Sequence, residues 1–251
     1  VDGEQVTEKK PNVFVGVPTY DGWIHSGLIE PLMKFRTVYP SMLTVCGGSL
    51  LAYQFNSLWL AALNSSADYF IMCHADITPE MDAFQKLVEE CIRLDADVVS
   101  VVSPIKTPDG ITSTGIADEE TLWHPRRFTM REVFTFPDTF TAADTGHPDK
   151  ALLINTGLMV CSVKRPWAAN AHFTIKDKIG EFRGERQPLV LPEDWGFSWY
   201  LHENNAKVYA TRKVSLDHHG NMAFPNTSAW GTYEHDPAHP EAWPDGKVIA
   251  A

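Results

Sequence analysis

Three short stretches of this 251-residue chain combine residue types suited to chemistry on a charged substrate. His74-Ala75-Asp76 closes an apolar run, Asp68-Tyr69-Phe70-Ile71-Met72-Cys73. A buried strand that delivers an ionised carboxylate to its carboxyl end is one way an α/β enzyme holds a divalent cation beside a phosphorylated ligand. Glu193-Asp194 follows Pro192 and offers two carboxylates, the group that removes a proton in general-base catalysis. Asp217-His218-His219-Gly220 places two imidazoles after another short apolar run, and in extended backbone adjacent side chains take opposite faces. Lys106, in a loop over 103–115 rich in hydroxyls, follows a strand end on the side of the sheet where Asp76 is expected, and suits a phosphate or an acceptor. Each feature also has a plainer reading. Asp76 would cap a helix starting near Pro79, Glu193 and Asp194 would complement a helix amino terminus, the histidines would be a surface pair, and the 103–115 loop a solvated hairpin.

The elements that must position these residues alternate. An apolar, β-branched run over 12–17 predicts a strand, and Pro18-Thr19-Tyr20-Asp21-Gly22 predicts a loop after it. A helix is expected over 26–39, with Pro31 tolerated near its start, then a strand over 42–45 and a helix over 50–64 that buries Leu51, Phe55, Leu58 and Leu63. The strand over 68–76 is followed by an amphipathic helix over 81–94 and a buried strand over 96–102. The pattern fades between 104 and 147 and returns at 151–160 as a pair of strands or one bent strand. A charged segment over 176–186, a helix from 192 through 202, a strand over 207–210 and a last run over 214–220 complete it. Alternating strand and helix predict an α/β fold with a mostly parallel central sheet flanked by helices. A single domain is expected over 12–251 after a polar tail, 1–11. Its nucleotide-binding half covers about 12–103, its acceptor and catalytic half about 104–220, and an extension 221–251.

Composition narrows the function. The net charge of −11 argues against a general basic surface for nucleic acid, because neutralising phosphates needs clustered Lys and Arg. One local exception is Trp123, His124, Arg126, Arg127 and Arg131, where bases and aromatics lie together as a contact to DNA or another anionic acceptor would use them. No run of about 18 apolar residues exists, so no membrane helix is expected, and the first ten residues lack a signal peptide's apolar core. A cytoplasmic protein is expected, in the host's cytoplasm if the chain is viral. Cys46, Cys73, Cys91 and Cys161 lack paired spacing and are assigned to packing.

Taken in order, Pro18-Thr19-Tyr20-Asp21, Asn56, His74-Ala75-Asp76, Asn155-Thr156-Gly157, Glu193-Asp194-Trp195 and Asp217-His218-His219 resemble the nucleotide-sugar glycosyltransferases of the GT-A fold, above all the inverting ones, over roughly 12–220. The resemblance implies a Rossmann-like GT-A domain that moves a hexose or pentose from a nucleoside diphosphate sugar, a UDP-sugar in the first instance, to an acceptor hydroxyl. It implies that Pro18, Thr19, Tyr20 and Asp21 hold the nucleotide, with Tyr20 stacking on the base and Asp21 accepting from base or ribose. Asn56 would touch base or diphosphate, and Asn155, Thr156 and Gly157 would shape the donor-sugar pocket. Asp76 and a histidine, His218 by preference over His219, would hold Mn²⁺ or Mg²⁺. Asp194 would be the base, with Glu193 orienting sugar or acceptor. His74 departs from the family pattern, which has an acid there; it would contact ribose or phosphate beside Ala75. The stretches Pro104-Ile105-Lys106 and Thr112-Ser113-Thr114 resemble phage enzymes that glycosylate hydroxymethylated bases, which would make DNA the acceptor. Two other classes compete: a nucleotidyltransferase of related architecture, which would carry a Gly-rich phosphate loop that 18–22 lacks, and a non-catalytic sugar- or nucleotide-binding module, which needs no base.

Overall fold

The computed structural model describes residues 10–220 and 222–231. Most of the expected tail, 1–9, and most of the expected extension, 221 and 232–251, lie outside the described residues. The first half follows the sequence pattern: β1 (Val13–Thr19), α1 (Ile29–Val38), β2 (Ser41–Gly47), α2 (Leu51–Leu63), β3 (Tyr69–Cys73), β4 (Ile77–Pro79), α3 (Ala83–Arg93) and β5 (Val98–Val101). The second half is β6 (Ile111–Ala117), β7 (Arg126–Thr129), α4 (Met130–Val133), β8 (Thr139–Phe140), β9 (Ala151–Leu153), β10 (Leu158–Ser162), β11 (Lys176–Phe182), β12 (Glu185–Leu191), α5 (Glu193–Glu203), β13 (Val208–Thr211), β14 (Leu216–His219) and β15 (Ala223–Pro225).

Seven strands form the central sheet in the order β2-β1-β3-β10-β5-β13-β8. β1, β2, β3, β5 and β13 run one way, while β10, inserted between β3 and β5, and β8 at the edge run the other. This is the mostly parallel α/β sheet flanked by helices that the alternation predicts. A sheet covered on both faces needs strands apolar on both faces, and these strands split their side chains accordingly. Phe14, Phe70, Met72, Val98, Met159 and Cys161 join the core under α2 and α5. Val13, Val15, Ile71, Cys73, Val99 and Val160 join the core under α1 and α3. The helices present matching stripes: Phe55, Leu58, Trp59 and Ala62 on α2, and Phe84, Leu87, Val88 and Cys91 on α3, each at i, i+3, i+4 and i+7. Gly16 lets α2 sit close on β1, since a Cβ there would lie 3.0 Å from Phe70 and 3.1 Å from Leu58.

Several expectations fail for physical reasons. Thr78-Pro79 does not open a helix; Ile77–Pro79 pairs antiparallel with β14, and α3 begins only at Ala83. Pro79, last in its short strand, fits there because proline is tolerated at strand ends. Leu51 is not buried but 36% exposed, at the first position of α2, where the core stripe has not begun. The 103–115 loop is no solvated hairpin: its second part is β6, buried in a small sheet β7-β6-β9. The 151–160 run resolves into two strands in two different sheets, β9 and β10. The charged 176–186 segment is half of the exposed hairpin β11–β12. Residues 222–231 do not merely extend the domain, because β15 pairs with β14 and buried Asn226 ties Leu216, Val102 and Val214 together.

Cys73, Cys91 and Cys161 are buried free thiols and Cys46 is half-buried; burial raises the Cys91 thiol to about 12, so it packs as an apolar group. Among the described residues no helix is long and apolar enough to cross a membrane. Trp59 is 1% exposed and meets Phe70, Trp167, Phe173 and Phe197 around the ring, with its indole N–H on the Ala168 carbonyl at 3.2 Å. Trp59→Ala is therefore expected to cost roughly 3–5 kcal/mol in urea unfolding; a loss under about 1 kcal/mol would show that the α2 core is not the fold's main support.

Candidate active site

The His74-Ala75-Asp76 turn joins β3 to β4 and is held by backbone hydrogen bonds from three directions. The His74 N–H donates to Gly157 O at 2.7 Å, the His25 N–H to Ala75 O at 2.7 Å, and the His219 N–H to Asp76 O at 2.9 Å. Asp76 is thus not a helix cap, since the chain continues directly into a strand. The β4–β14 ladder then sorts the two histidines. His218 lies opposite Ile77, with Nε2 3.7 Å from Asp76 Oδ2 and Nδ1 2.8 Å from Pro104 O. Since a carbonyl only accepts, Nδ1 carries a proton, and Nε2 is the ring nitrogen turned toward Asp76. His219 takes the other side: its ring stacks on His25, with centroids 3.8 Å apart, and its Nε2 lies 2.8 Å from Thr78 Oγ1. Thr78 Oγ1 also reaches His25 Nδ1 at 2.7 Å, so one hydroxyl ties the two rings.

These residues close one end of a cleft of about 610 Å³ at the carboxyl ends of β1 and β3. Pro18, Thr19, Tyr20 and Asp21 line it together with His74, Ala75 and Asp76. Tyr20 and Trp23 stand at its mouth, 76% and 79% exposed, and His25, Gln54 and His219 complete its walls. Thr19 is committed to the loop, its hydroxyl donating to Trp23 O at 2.7 Å and its N–H to Gln54 Oε1 at 3.1 Å. Asp21 Oδ1 accepts from Trp23 N–H at 3.1 Å, an Asx turn that fixes the loop.

The acidic end is strongly polarised. Lys106 Nζ donates to Asp76 Oδ2, while Asp76 Oδ1 is buried without a hydrogen-bond partner. Burial opposes the charge on Asp76, but His218 and Lys106 outweigh it and hold the carboxyl well below the usual range. His74 is half-buried and its buried Nε2 has no partner; burial lowers its pKa to about 4, so the ring is neutral at pH 7. Burial, then His25, also lowers His219. Among the described residues no three His, Cys, Asp or Glu side chains converge as a complete metal cage. The orphaned Asp76 oxygen and the oriented His218 Nε2 fit a divalent cation in a narrower form, as two protein ligands to an ion completed by phosphate oxygens.

The structure does not bring every expected residue into the cleft. Asn56 spends both ends of its amide on Phe173, donating to its carbonyl at 2.8 Å and accepting from its N–H at 2.7 Å, so it pins the 173 loop to α2 in place of a nucleotide contact. Asn155 and Thr156 are buried and, with Gly157, form a turn behind His74 that is absent from the cleft lining. Asn155 Oδ1 accepts from Gly157 N–H at 2.6 Å, and a Cβ on Gly157 would lie 2.5 Å from that oxygen. Glu193 and Asp194 are also outside the lining, each 8% exposed in the first turn of α5. They connect to the site through the backbone: the Ile154 N–H donates to Ser198 Oγ at 3.0 Å, and Ser198 donates to Asp194 O at 2.7 Å. Burial and then Glu193 push Asp194 well above its ordinary value, and burial raises Glu193. The basic cluster is engaged too. Arg126 pairs with Glu132 at 2.6 Å, Arg131 donates to Gly231 O at 3.2 Å, and Arg127 acts electrostatically on Asp194.

Sequence reasoning missed Trp23, His25, Gln54 and Thr78. Trp23 and His25 continue the turn-rich stretch after Gly22 and carried no pattern of their own. Thr78 was hidden because Thr-Pro-Glu reads as a helix start.

No protein-family model matches the sequence, and no curated protein matches it. Among solved structures, A197 from STIV superposes with a TM-score of 0.52 at 16% identity, covering 83% of this chain and 86% of that one, and shows that the two share a fold. S. aureus TarS in complex with UDP-GlcNAc (TM-score 0.38, 8% identity, 89% of this chain and 62% of that one) and HddC from Yersinia pseudotuberculosis (0.34, 11%, 94% and 100%) are more distant.

Asn56→Ala is expected to lower unfolding stability by about 1–3 kcal/mol through the Phe173 backbone groups it leaves unpaired, with nucleotide affinity unchanged by calorimetry. A large loss of affinity at intact stability would restore Asn56 to the binding site.

Proposed function

We propose that this chain is a GT-A-type glycosyltransferase that moves a sugar from a nucleoside diphosphate sugar, a UDP-sugar in the first instance, to an acceptor hydroxyl. One observation carries the reading: a single cleft at the carboxyl ends of β1 and β3 is lined both by the exposed rings of Tyr20 and Trp23 and by Asp76, whose carboxylate is met by Lys106 and faced by His218. That combination matches a flat base and a diphosphate on one ligand. Tyr20, with Trp23, offers a stacking surface for the base, and the Lys106 ammonium offers a counter-charge to the phosphates. Asp76 and His218 would hold Mn²⁺ or Mg²⁺, which supplies further neutralisation of the diphosphate.

In the reaction the acceptor oxygen attacks the anomeric carbon and its bond forms as the carbon–oxygen bond to the diphosphate breaks. Asp194 takes the acceptor's proton and the diphosphate leaves with the bonding pair, which inverts the anomeric centre. A carboxylate pushed up by burial is a stronger base than an exposed one, provided the working pH lies above its pKa. We assign the nucleotide half to the part with β1 to β5, which supplies most of the cleft lining, and the acceptor half to the rest, which adds His219 to that lining, sets Lys106 and His218 on Asp76 and supplies Asp194 from α5. A non-catalytic sugar-nucleotide module is the second reading, favoured by the position of Asp194 outside the cleft lining.

Thermal-shift screening against nucleoside diphosphate sugars, with and without Mn²⁺, is expected to show stabilisation by one donor that grows with the metal; no stabilisation by any donor would overturn the proposal. Asp194→Asn is expected to keep donor stabilisation and to lose transfer by at least about 10²-fold, the usual scale for a general base. Unchanged transfer would remove Asp194 as the base, and absence of transfer in the wild type would favour the binding module. The same variant tests the pKa. The folded state holds the Asp194 proton more tightly than the unfolded chain, so wild-type stability falls as pH rises from the ordinary carboxylate range through the raised folded value. Asp194→Asn is therefore expected to melt higher than wild type at neutral pH, with the gap closing as pH is lowered; an equal or lower melting point at pH 7 would contradict a raised Asp194 pKa in the folded state.

A further inference from the structure

A second cavity, of about 530 Å³, lies along α5. Gly196, Trp199, Tyr200 and Glu203 line it at i, i+3, i+4 and i+7, a single face of α5 and the one opposite Asp194, which is buried with Phe197, Ser198 and Leu201. The opposite walls come from the 119–123 loop and the exposed hairpin β11–β12. Trp123 and Trp199 pack against the small core of Ala117, Leu122, Ala151, Leu153 and Leu191, which fixes their orientation, yet both stay partly exposed. Lys178 Nζ sits 4.1 Å above the Trp123 ring centroid and covers that face of the ring. An exposed cation–π contact of this kind contributes only about 0.5–1 kcal/mol, and a ligand can displace it.

The chemistry of the walls is mixed in a particular way. Flat aromatic faces lie among carboxylates (Glu119, Glu120, Glu203) and ammonium groups (Lys176, Lys178), and none of these five shares an ion pair with another across the cavity. A pyranose presents an apolar face of C–H groups and a rim of hydroxyls that both donate and accept, and this wall offers a partner for each. A nucleic acid would meet three carboxylates here, and a cationic ligand would meet two lysines. We propose that this cavity binds an uncharged carbohydrate rather than DNA, as the part of a polymeric acceptor that lies away from the reacting hydroxyl, with Trp199 as platform, Trp123 beside it, and Glu203 and Lys178 as hydroxyl partners. The assignment of the bound sugar as acceptor rests on the glycosyltransferase reading above; the carbohydrate site itself does not.

The test is a glycan array carrying neutral and anionic glycans beside single-stranded oligodeoxynucleotides, probed with the full chain as wild type, Trp199→Ala, Trp199→Phe and Glu203→Gln. Neutral glycans are expected to bind the wild type. Trp199→Ala is expected to weaken that binding at least about tenfold, Glu203→Gln several-fold, and Trp199→Phe to retain most of it because a ring is preserved. Stabilisation by the nucleotide-sugar donor should be the same in all four proteins, which also reports that each is folded. Wild type that retains no neutral glycan, retains oligonucleotide in preference, or binds glycans as tightly after Trp199→Ala and Glu203→Gln would overturn the proposal. Donor stabilisation without glycan binding overturns this inference alone. Glycan binding without donor stabilisation overturns the glycosyltransferase reading and leaves the carbohydrate site standing.

Discussion

The geometry of the site depends on three main-chain hydrogen bonds that fasten the His74-Ala75-Asp76 turn to the loop after β1, to the entrance of β10 and to the end of β14. Main-chain bonds do not depend on side-chain identity, so this turn can carry unusual side chains without loss of position. That separation matters because the side chains are costly ones: a half-buried neutral imidazole with a buried, unpartnered nitrogen at His74, and a carboxylate with one buried oxygen at Asp76. Such groups are tolerated only where their surroundings over-determine the backbone. β10 is central to that requirement. Running antiparallel between β3 and β5, it lets the buried Asn155-Thr156-Gly157 turn reach back to His74.

The same arrangement bears on how a chain of net charge −11 would present a site to the diphosphate of the proposed donor. Asp21 and Asp76 are carboxylates of the cleft lining, and Asp76 is met by Lys106 and faced by His218 Nε2. The Lys106 ammonium thus offsets the Asp76 carboxylate where an anion would enter, and this local balance governs its approach more than the protein's net charge does.

Much of this was legible in the sequence, and the limits have physical causes. Strands buried on both faces produce apolar runs that stand out from their surroundings, which is why β1, β3 and β5 could be read, and α3 could be read from its strong 3.6-residue periodicity. Short strands carry no such signal. β4 has three residues and β15 three, and neither can show a period, yet β4 is the element that sets His218 against Asp76. Side-chain commitments were equally hidden. Nothing in the sequence says that Asn56 spends its amide on Phe173, 117 positions away, or that Thr78 links two stacked histidines drawn from positions 25 and 219. The aromatic cavity along α5 was illegible as well, because its walls come from three separate segments and only the helix contributes a spacing.

Lys106 and a divalent cation would compete for the same carboxylate, and the magnitudes indicate how that competition runs. The Lys106 and Asp76 side chains are 37% and 41% exposed, and an ion pair at that exposure contributes only about 0–1 kcal/mol net, because solvent screens it and the lysine gives up rotamer freedom to make it. Breaking the pair is therefore inexpensive. His218 behaves differently: it is 15% exposed and its Nδ1 is held by Pro104, so its Nε2 stays where it is whichever cation is present. Asp76 keeps one oxygen buried and the other on Lys106. On the proposed function, a diphosphate entering the cleft would bring several oxygens at once. It would offer Lys106 a better partner than Asp76 does and would leave the carboxylate, with His218, free for a metal. The lysine would then be a mobile counter-ion that keeps the carboxylate neutralised until the donor arrives.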